Sequence, residues 1–130
     1  MNETHMSPEE QQAWLRSSLD AAVSRLTELA IFNTTFIEVR PAWAAPGHFL
    51  IGKAREPDND SAFRWFIAAE SGVLDHLADT AAATPREAAR HFALKWQLDA
   101  SRLGETVAAD LIGNAELLYA LVDDDRFWAT

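Results

Sequence analysis

Three consecutive aspartates, Asp123, Asp124 and Asp125, form the densest run of charge in the sequence. They follow a predicted helix, and carboxylates at the C-terminal end of a helix oppose its dipole, at a cost of a few tenths to about 1 kcal/mol each. The run is either a solvated helix end or a set of charges kept for a binding partner. A metal site is a third alternative, although consecutive aspartates rarely point at one ion. We take the partner as the working hypothesis and predict no metal there.

Other carboxylates could exchange protons, because two carboxyl groups can divide the roles of acid and base. Asp58 and Asp60 lie in a predicted hairpin loop, where turn formation is their simplest role. Glu70 and Asp75 flank a Ser-Gly break and could line an edge of a sheet. Neither pair belongs to a catalytic motif, so we predict no catalytic residue.

The remaining residue types that perform chemistry also lack a motif. The four histidines have no metal-ligand spacing, and the sequence contains neither a Gly-x-Ser-x-Gly elbow nor a phosphate-binding glycine loop. Without cysteine there is no disulfide, thiolate nucleophile or Cys-ligated metal. We therefore predict no cofactor and no metal.

Length and charge narrow the class of protein. The chain has 130 residues, and we predict one domain over residues 7–130 after a disordered segment at residues 1–6. Its net charge of −9 argues against nucleic acid and against anionic membrane surfaces, which attract Lys and Arg. The sequence has no signal peptide and no membrane-spanning run. These features predict a cytoplasmic protein whose partner is a basic protein.

The clearest helix extends from Thr84 to Gly104. Thr84 and Glu87 form a capping-box pattern, with Pro85 at the first helical position. Gly104 suits a left-handed cap at the C-terminal end. The apolar positions recur every three or four residues and predict one buried face, made of Ala89, Phe92, Ala93, Trp96, Ala100 and Leu103. We expect the substitution Trp96→Ala to cost about 3–5 kcal/mol of folding stability.

A second capping box, from Ser7 to Glu10, opens an N-terminal helix that should run to about Ala30. Residues 31–40 are rich in β-branched and aromatic types, which predicts a strand that Pro41 ends.

Residues 48–56 and 62–70 predict two further strands, joined by the polar loop at residues 57–61 and therefore antiparallel. The second of these is apolar at nearly every position and should be central. An additional short strand at residues 41–45 is an alternative to a plain connector.

The C-terminal half should be mainly helical. Residues 73–83 predict a short helix or an irregular crossover, and a helix after Gly104 should be interrupted at Gly113 and Asn114 before it resumes to about Asp124. The predicted fold class is α+β. It consists of an N-terminal helix, a small antiparallel sheet of three or four strands, and two or three helices packed on one face.

Charge is unevenly distributed in this half. Residues 105–130 hold six acids and one base, whereas residues 81–103 hold four bases and two acids. The acidic segment could pack beside the basic helix or face a basic protein. Trp43 and Trp128 are either core edges or interface anchors, since Trp is enriched at binding hot spots. The predicted partner contacts are Asp123, Asp124, Asp125, Glu116, Trp128, Asp58 and Asp60.

Four fragments of the sequence form one pattern. They are the Pro-Ala-Trp at residues 41–43, the aromatic strand at residues 64–67, the Pro-Arg-Glu-Ala start of the helix at residues 85–88, and the acidic ending at residues 115–128. The pattern resembles a family of small bacterial proteins that is known as a domain of unknown function, from about Pro41 to Trp128. The sequence departs from it before Pro41, where the helix is longer. The resemblance implies a compact α+β domain and brings no known catalytic residues.

Three hypotheses of function remain, and the third of them is a self-associating housekeeping domain. The first is a non-enzymatic immunity (antitoxin-like) protein that inhibits a cognate bacterial toxin or effector domain by direct binding, as small size, acidity and the lack of a catalytic motif suggest. The second is a small-ligand-binding or enzymatic module with a site on the sheet around Arg64, Glu70 and His48. A deep, largely apolar pocket would favour the second, and a flat acidic face the first. No oligomeric state is predicted.

Overall fold

A computed structural model of the chain describes residues 6–29, 37–57 and 62–128. The predicted contacts Asp58 and Asp60 lie outside these residues, as does most of the N-terminal segment that was predicted to be disordered. The described residues form three helices and four strands. The elements are α1 (Pro8–Glu28), β1 (Glu38–Ala45), β2 (Phe49–Arg55), β3 (Arg64–Ala69), β4 (Leu74–Ala78), α2 (Pro85–Ala100) and α3 (Glu105–Val122). Short 3₁₀ turns lie at Asp79–Ala81 and Asp125–Phe127.

The strands make one antiparallel sheet in the order β1-β2-β3-β4, which confirms the α+β class. Successive residues of a strand face opposite sides. On β2, Ile51 therefore packs with Phe92 and Trp96 of α2, whereas Leu50 packs with Leu26 of α1. The sheet thus separates a major core under α2 and α3 from a minor core under α1. Helices α2 and α3 share one face as predicted, and α1 covers the other.

The N-terminal helix begins as the sequence predicts. The backbone N–H of Glu10 donates to the Ser7 hydroxyl at 3.1 Å, and the Glu10 carboxylate accepts from the Ser7 N–H at 2.8 Å. The helix ends at Glu28, and only Ala22 and Leu26 are fully buried. Trp14, Leu15 and Leu19 are partly buried against the same minor core.

Helix α2 also begins at its predicted cap, although the capping box is only half formed. The Thr84 hydroxyl accepts from the Glu87 N–H at 3.1 Å, but the Glu87 carboxylate accepts from Ala83 instead of Thr84. The predicted buried face is confirmed except at Leu103, which is 49% exposed beyond the end of the helix. Gly104, predicted as a left-handed cap, has a φ of −64° and is instead the N-cap of α3.

The prediction that Pro41 ends the first strand is wrong. Strand β1 continues through Pro41, which pairs with Gly52, and a bulge follows between Pro41 and Trp43. Proline is tolerated there because β1 is an edge strand and the bulge relieves the pairing. Residues 41–45 are consequently part of β1 and not a separate strand.

The fourth strand lies where a short helix or a crossover was predicted. Strand β4 pairs antiparallel with β3, with His76 opposite Phe66. Its side chains alternate between the layers, since Leu74 packs in the minor core and Leu77 in the major core. Asp75 and His76 concealed this alternation because they place polar groups on half-buried positions.

The predicted interruption at Gly113 and Asn114 is also wrong, because α3 is continuous across it. A glycine inside a helix costs only about 1 kcal/mol, which packing against α2 can offset. The Asn114 side chain supports the helix by donating to the Asp110 carbonyl at 2.8 Å. Helix α3 therefore presents one unbroken outer surface.

Candidate protein-binding surface

The three consecutive aspartates differ in their environments. Asp123 caps the C-terminal end of α3 and is exposed. Asp124 accepts from the Arg126 guanidinium, with Nη2–Oδ2 and Nε–Oδ1 distances of 2.6 and 2.9 Å, and from the Arg126 backbone N–H at 3.1 Å. These hydrogen bonds hold the pKa of Asp124 at about 2. The negative charge of Asp124 is therefore already balanced by the positive charge of Arg126.

Asp125 is tied to the start of α2. Its Oδ1 accepts from Nη2 of Arg86 at 2.7 Å, while the Asp125 side chain remains 89% exposed. Arg86 also donates twice to the carbonyl oxygen of Val122, at 2.9 and 2.6 Å. A cation at this carbonyl interacts favourably with the negative end of the helix dipole. Asp123 is thus the member of the run without an ion pair among the described residues.

Trp128 lies against β1. Its indole ring stacks on that of Trp43, and its Nε1 donates to the Leu121 carbonyl at 2.8 Å. The Nε1 of Trp43 donates to the Phe127 carbonyl at 2.7 Å. Both rings are half-buried beside the major core, which confirms the interpretation of the pair as core edges.

The outer surface of α3 carries charge of one sign. Over its 18 residues α3 has three acids and no Lys or Arg. None of the three acids has an ion pair with a residue in the described ranges. Exposed Ile112 and Leu117, at 42% and 41% exposure, border the outward surface of the helix at its two edges, because five positions correspond to roughly 140° around the axis. We call this surface the α3 outer face and define it by Glu105, Asp110, Ile112, Glu116 and Leu117.

Sequence reasoning found only one of these five residues as a site residue. Glu116 was a predicted contact, and the other four residues were not. The expected break at Gly113 concealed the face, because it divided one helix into two segments with unrelated phases. A helical wheel of one continuous helix through Gly113 places Asp110 and Leu117 on the same side of that helix.

The residues of the rival site are only partly brought together, because Glu70 and His48 are neighbours and Arg64 lies far from both. Arg64 and Glu70 lie at opposite ends of β3, six residues or roughly 20 Å apart at the usual rise of a strand. Arg64 donates to Nδ1 of His76 from Nη2 at 3.0 Å. His48 is exposed and contacts Glu70 through the backbone, its carbonyl accepting from the Glu70 N–H at 2.8 Å.

His76 is half-buried beside Arg64. Burial, followed by the charge of Arg64, lowers its pKa below the usual 6.5. Its Nδ1 faces a guanidinium, so the neutral ring is the form that this contact favours. The pair lies on the α1 side of the sheet, as do Phe66 and Leu74.

Two other kinds of feature are absent from the described ranges. No three His, Asp or Glu side chains among residues 6–29, 37–57 and 62–128 are grouped as metal ligands would be. In the same part of the chain, no helix combines the length and the apolar composition needed to cross a bilayer.

The described residues thus define a three-layer α+β domain with an acidic and apolar helical face. The model of the family described as a domain of unknown function, DUF4826, matches residues 8–128, and the chain belongs to this family. The match confirms the resemblance and extends it, because the N-terminal helix before Pro41 is included. No curated protein and no solved structure matches the chain.

Proposed function

We propose that this protein is non-enzymatic and acts by binding a basic protein through the α3 outer face. One observation carries the proposal. An 18-residue helix exposes three carboxylates and three large apolar side chains, those of Val107, Ile112 and Leu117, without a single Lys or Arg. Such a surface suits a partner that offers basic side chains around an apolar strip.

The apolar and charged parts of the face have separate roles. Ile112 and Leu117 lose contact with water when a partner covers them, which favours association at about 25 cal/mol per Å² of apolar area. Exposed Ala109 and Gly113 lie between them and allow close approach of a partner's backbone. The carboxylates steer a basic partner toward the face and disfavour acidic ones.

The neighbouring acids extend the same field. Asp123 continues the acidic edge past the end of α3, and it is the member of the run that is available for a partner. Asp124 and Asp125 are already paired with arginines, so their contribution is smaller, and Trp128 offers only its exposed edge. Asp58 and Asp60 stay predicted contacts.

The partner class that we propose is a basic toxin or effector domain, which this protein would neutralise as an immunity protein in the cytoplasm. Small size and net negative charge support this choice, because a compact acidic domain can cover a basic functional surface. Direct occlusion also requires no catalytic group, in keeping with the lack of a catalytic motif.

The test uses the full chain and the product of the adjacent gene as the candidate partner. We expect binding at low salt that weakens as ionic strength rises. The double variant Asp110→Lys/Glu116→Lys should lose about tenfold or more in affinity. The matched control is Glu9→Lys/Asp20→Lys, which makes the same charge change on α1. Glu10 is left unchanged because its carboxylate caps that helix.

Two results would contradict the proposal. One is an equal loss in both double variants, which would indicate net charge instead of a defined face. The other is binding that survives Asp110→Lys/Glu116→Lys with an unchanged dependence on salt. A further substitution, Leu117→Ser, should weaken binding without altering the salt dependence, because it removes only apolar area.

A further inference from the structure

A groove of about 280 Å³ lies between α1 and the turn that joins β3 to β4. Four alanines line it, Ala21 and Ala22 from the helix and Ala68 and Ala69 from the strand. Because these side chains are short, the helix and the sheet leave a space between them. Trp14 and Leu74 add larger apolar surface to the same lining.

Two opposite charges border this groove. Arg25, on α1, donates from Nη1 to the carbonyl oxygen of Gly72. Glu70 accepts from the indole Nε1 of Trp14 at 2.9 Å. Within the described ranges, neither charge has an ion pair with the other or with a third residue. Each is therefore held by a neutral partner and has unused hydrogen-bonding capacity.

Separated charges of this kind restrict what the groove can bind. A small anion would be attracted by Arg25 and repelled by Glu70. A small cation would be attracted by Glu70 and repelled by Arg25. A molecule that carries both charges can satisfy both side chains. Charge-assisted hydrogen bonds of this type are roughly twice as strong as neutral ones.

We propose that the groove binds a small zwitterion of the α-amino-acid type with an apolar side chain. Arg25 binds the carboxylate, aided by the hydroxyl groups of Ser17 and Ser18 on the same lining. Glu70 binds the ammonium group, and the apolar side chain lies against the Trp14 ring. The groove lies just below the usual range of about 300–1,000 Å³ for drug-sized ligands, which suits an amino acid.

Binding is measured on the full chain by amide chemical shifts during titration with L-alanine, L-valine and L-leucine. We expect saturable shifts at residues 17–25 and 68–74 with at least one of them. N-acetyl-L-leucine lacks the ammonium group and L-leucinamide lacks the carboxylate. Each should bind about tenfold or more weakly than L-leucine.

Two variants assign the charges. Arg25→Gln should weaken L-leucine by about tenfold or more and leave the weak binding of L-leucinamide nearly unchanged. Glu70→Gln should weaken L-leucine and leave N-acetyl-L-leucine nearly unchanged, and its amide oxygen can still accept from Trp14. Arg16→Gln, on the same helix but outside the groove, is the matched control.

The proposal is overturned if none of the three amino acids gives saturable shifts in the groove. It is also overturned if the two single-charge analogues bind as tightly as L-leucine, or if Arg16→Gln weakens binding as much as Arg25→Gln. The result does not depend on the α3 outer face, because Asp110→Lys/Glu116→Lys should leave the binding of amino acids unchanged.

Discussion

The indole rings of Trp43 and Trp128 stack with their centroids 4.1 Å apart and their planes 12° from parallel. Trp43 lies on β1 and Trp128 follows the last 3₁₀ turn, so the stack joins the edge of the sheet to the end of the described chain. Each ring also donates a hydrogen bond to a backbone carbonyl of the other segment or of α3. The contact therefore fixes the position of the acidic C-terminal segment.

Removal of one ring should destabilise the fold. We expect Trp128→Ala to lower the free energy of unfolding by about 1–3 kcal/mol, from the lost ring contact and the lost hydrogen bond to Leu121. Trp128→Phe keeps an aromatic ring and should lose only about 1 kcal/mol. Urea denaturation followed by circular dichroism measures both. Equal stability of the wild type and Trp128→Ala would show that the stack contributes nothing.

A larger effect is expected in the major core. Trp96 is 1% exposed, lies 6.3 and 6.4 Å from the rings of Phe49 and Phe92, and donates to Asp75 at 3.1 Å. Trp96→Ala should cost about 3–5 kcal/mol, because it leaves a cavity and removes a partner of a half-buried carboxylate. Gln97→Ala, exposed on the same helix, should change stability by less than about 0.5 kcal/mol. Similar thermal midpoints for the two variants would contradict the assignment.

Alanine substitutions at two glycines should change the free energy of unfolding in opposite directions. At Gly52 a Cβ would lie 2.5 Å from the Arg40 carbonyl oxygen and 2.8 Å from the Phe66 ring, so Gly52→Ala must displace backbone in the sheet and should cost about 1–3 kcal/mol. At Gly113 a Cβ meets no atom within 4 Å. Gly113→Ala should therefore stabilise α3 by about 0.5–1 kcal/mol. Chemical denaturation of both variants tests the contrast, and a stabilising Gly52→Ala would refute it.

Stability should decline on the acid side of neutrality. The pKa of His76 is lowered in the fold by burial and by Arg64, so below about pH 6.5 the unfolded chain binds more protons at this residue. The contribution of His76 to folding stability is fully present above the pKa that it has in the unfolded chain. It is lost as the pH falls through the lower pKa that it has in the folded protein.

The urea midpoint at about pH 7.5 and about pH 5.5 measures this effect. The substitution His76→Gln should remove part of the pH dependence, whereas His91→Gln, at an exposed position, should retain it. A nuclear magnetic resonance titration that gives His76 a pKa at or above about 6.5 would contradict the prediction.

Local signals in the sequence predicted the elements that depend on local chemistry. The cap at Ser7, the cap at Thr84 and the buried face through Trp96 are determined by residues within one or two turns of a helix. The pairing of β2 with β3 followed from a short polar loop. Such features are visible in a single sequence because the interacting residues are close along the chain.

The remaining elements depend on distant neighbours. Pro41 continues a strand because β1 is an edge, and Gly113 continues a helix because α3 packs on α2. Neither condition can be deduced from the residues next to Pro41 or Gly113 in the sequence. Strand β4 was missed because His76 and Asp75 are polar, although they meet partners on β3 and α2.

The candidate surface was predicted only in part, for the same reason. Glu116 and Asp123 were identified from charge alone. The pairing of Asp125 with Arg86 joins residues 39 positions apart, so nothing near Asp125 in the sequence distinguishes it from Asp123. The α3 outer face required the correct length of one helix.

The sheet between α1 and α2 has a consequence for energetics. Leu26 and Phe92 belong to hydrophobic clusters that share no buried member, because the backbone of β2 and β3 lies between them. Cavities on the two sides should therefore not relax into each other. The losses of stability from Leu26→Ala and Phe92→Ala should add in the double variant to within about 0.5 kcal/mol, so that each side of the sheet can accept change independently of the other.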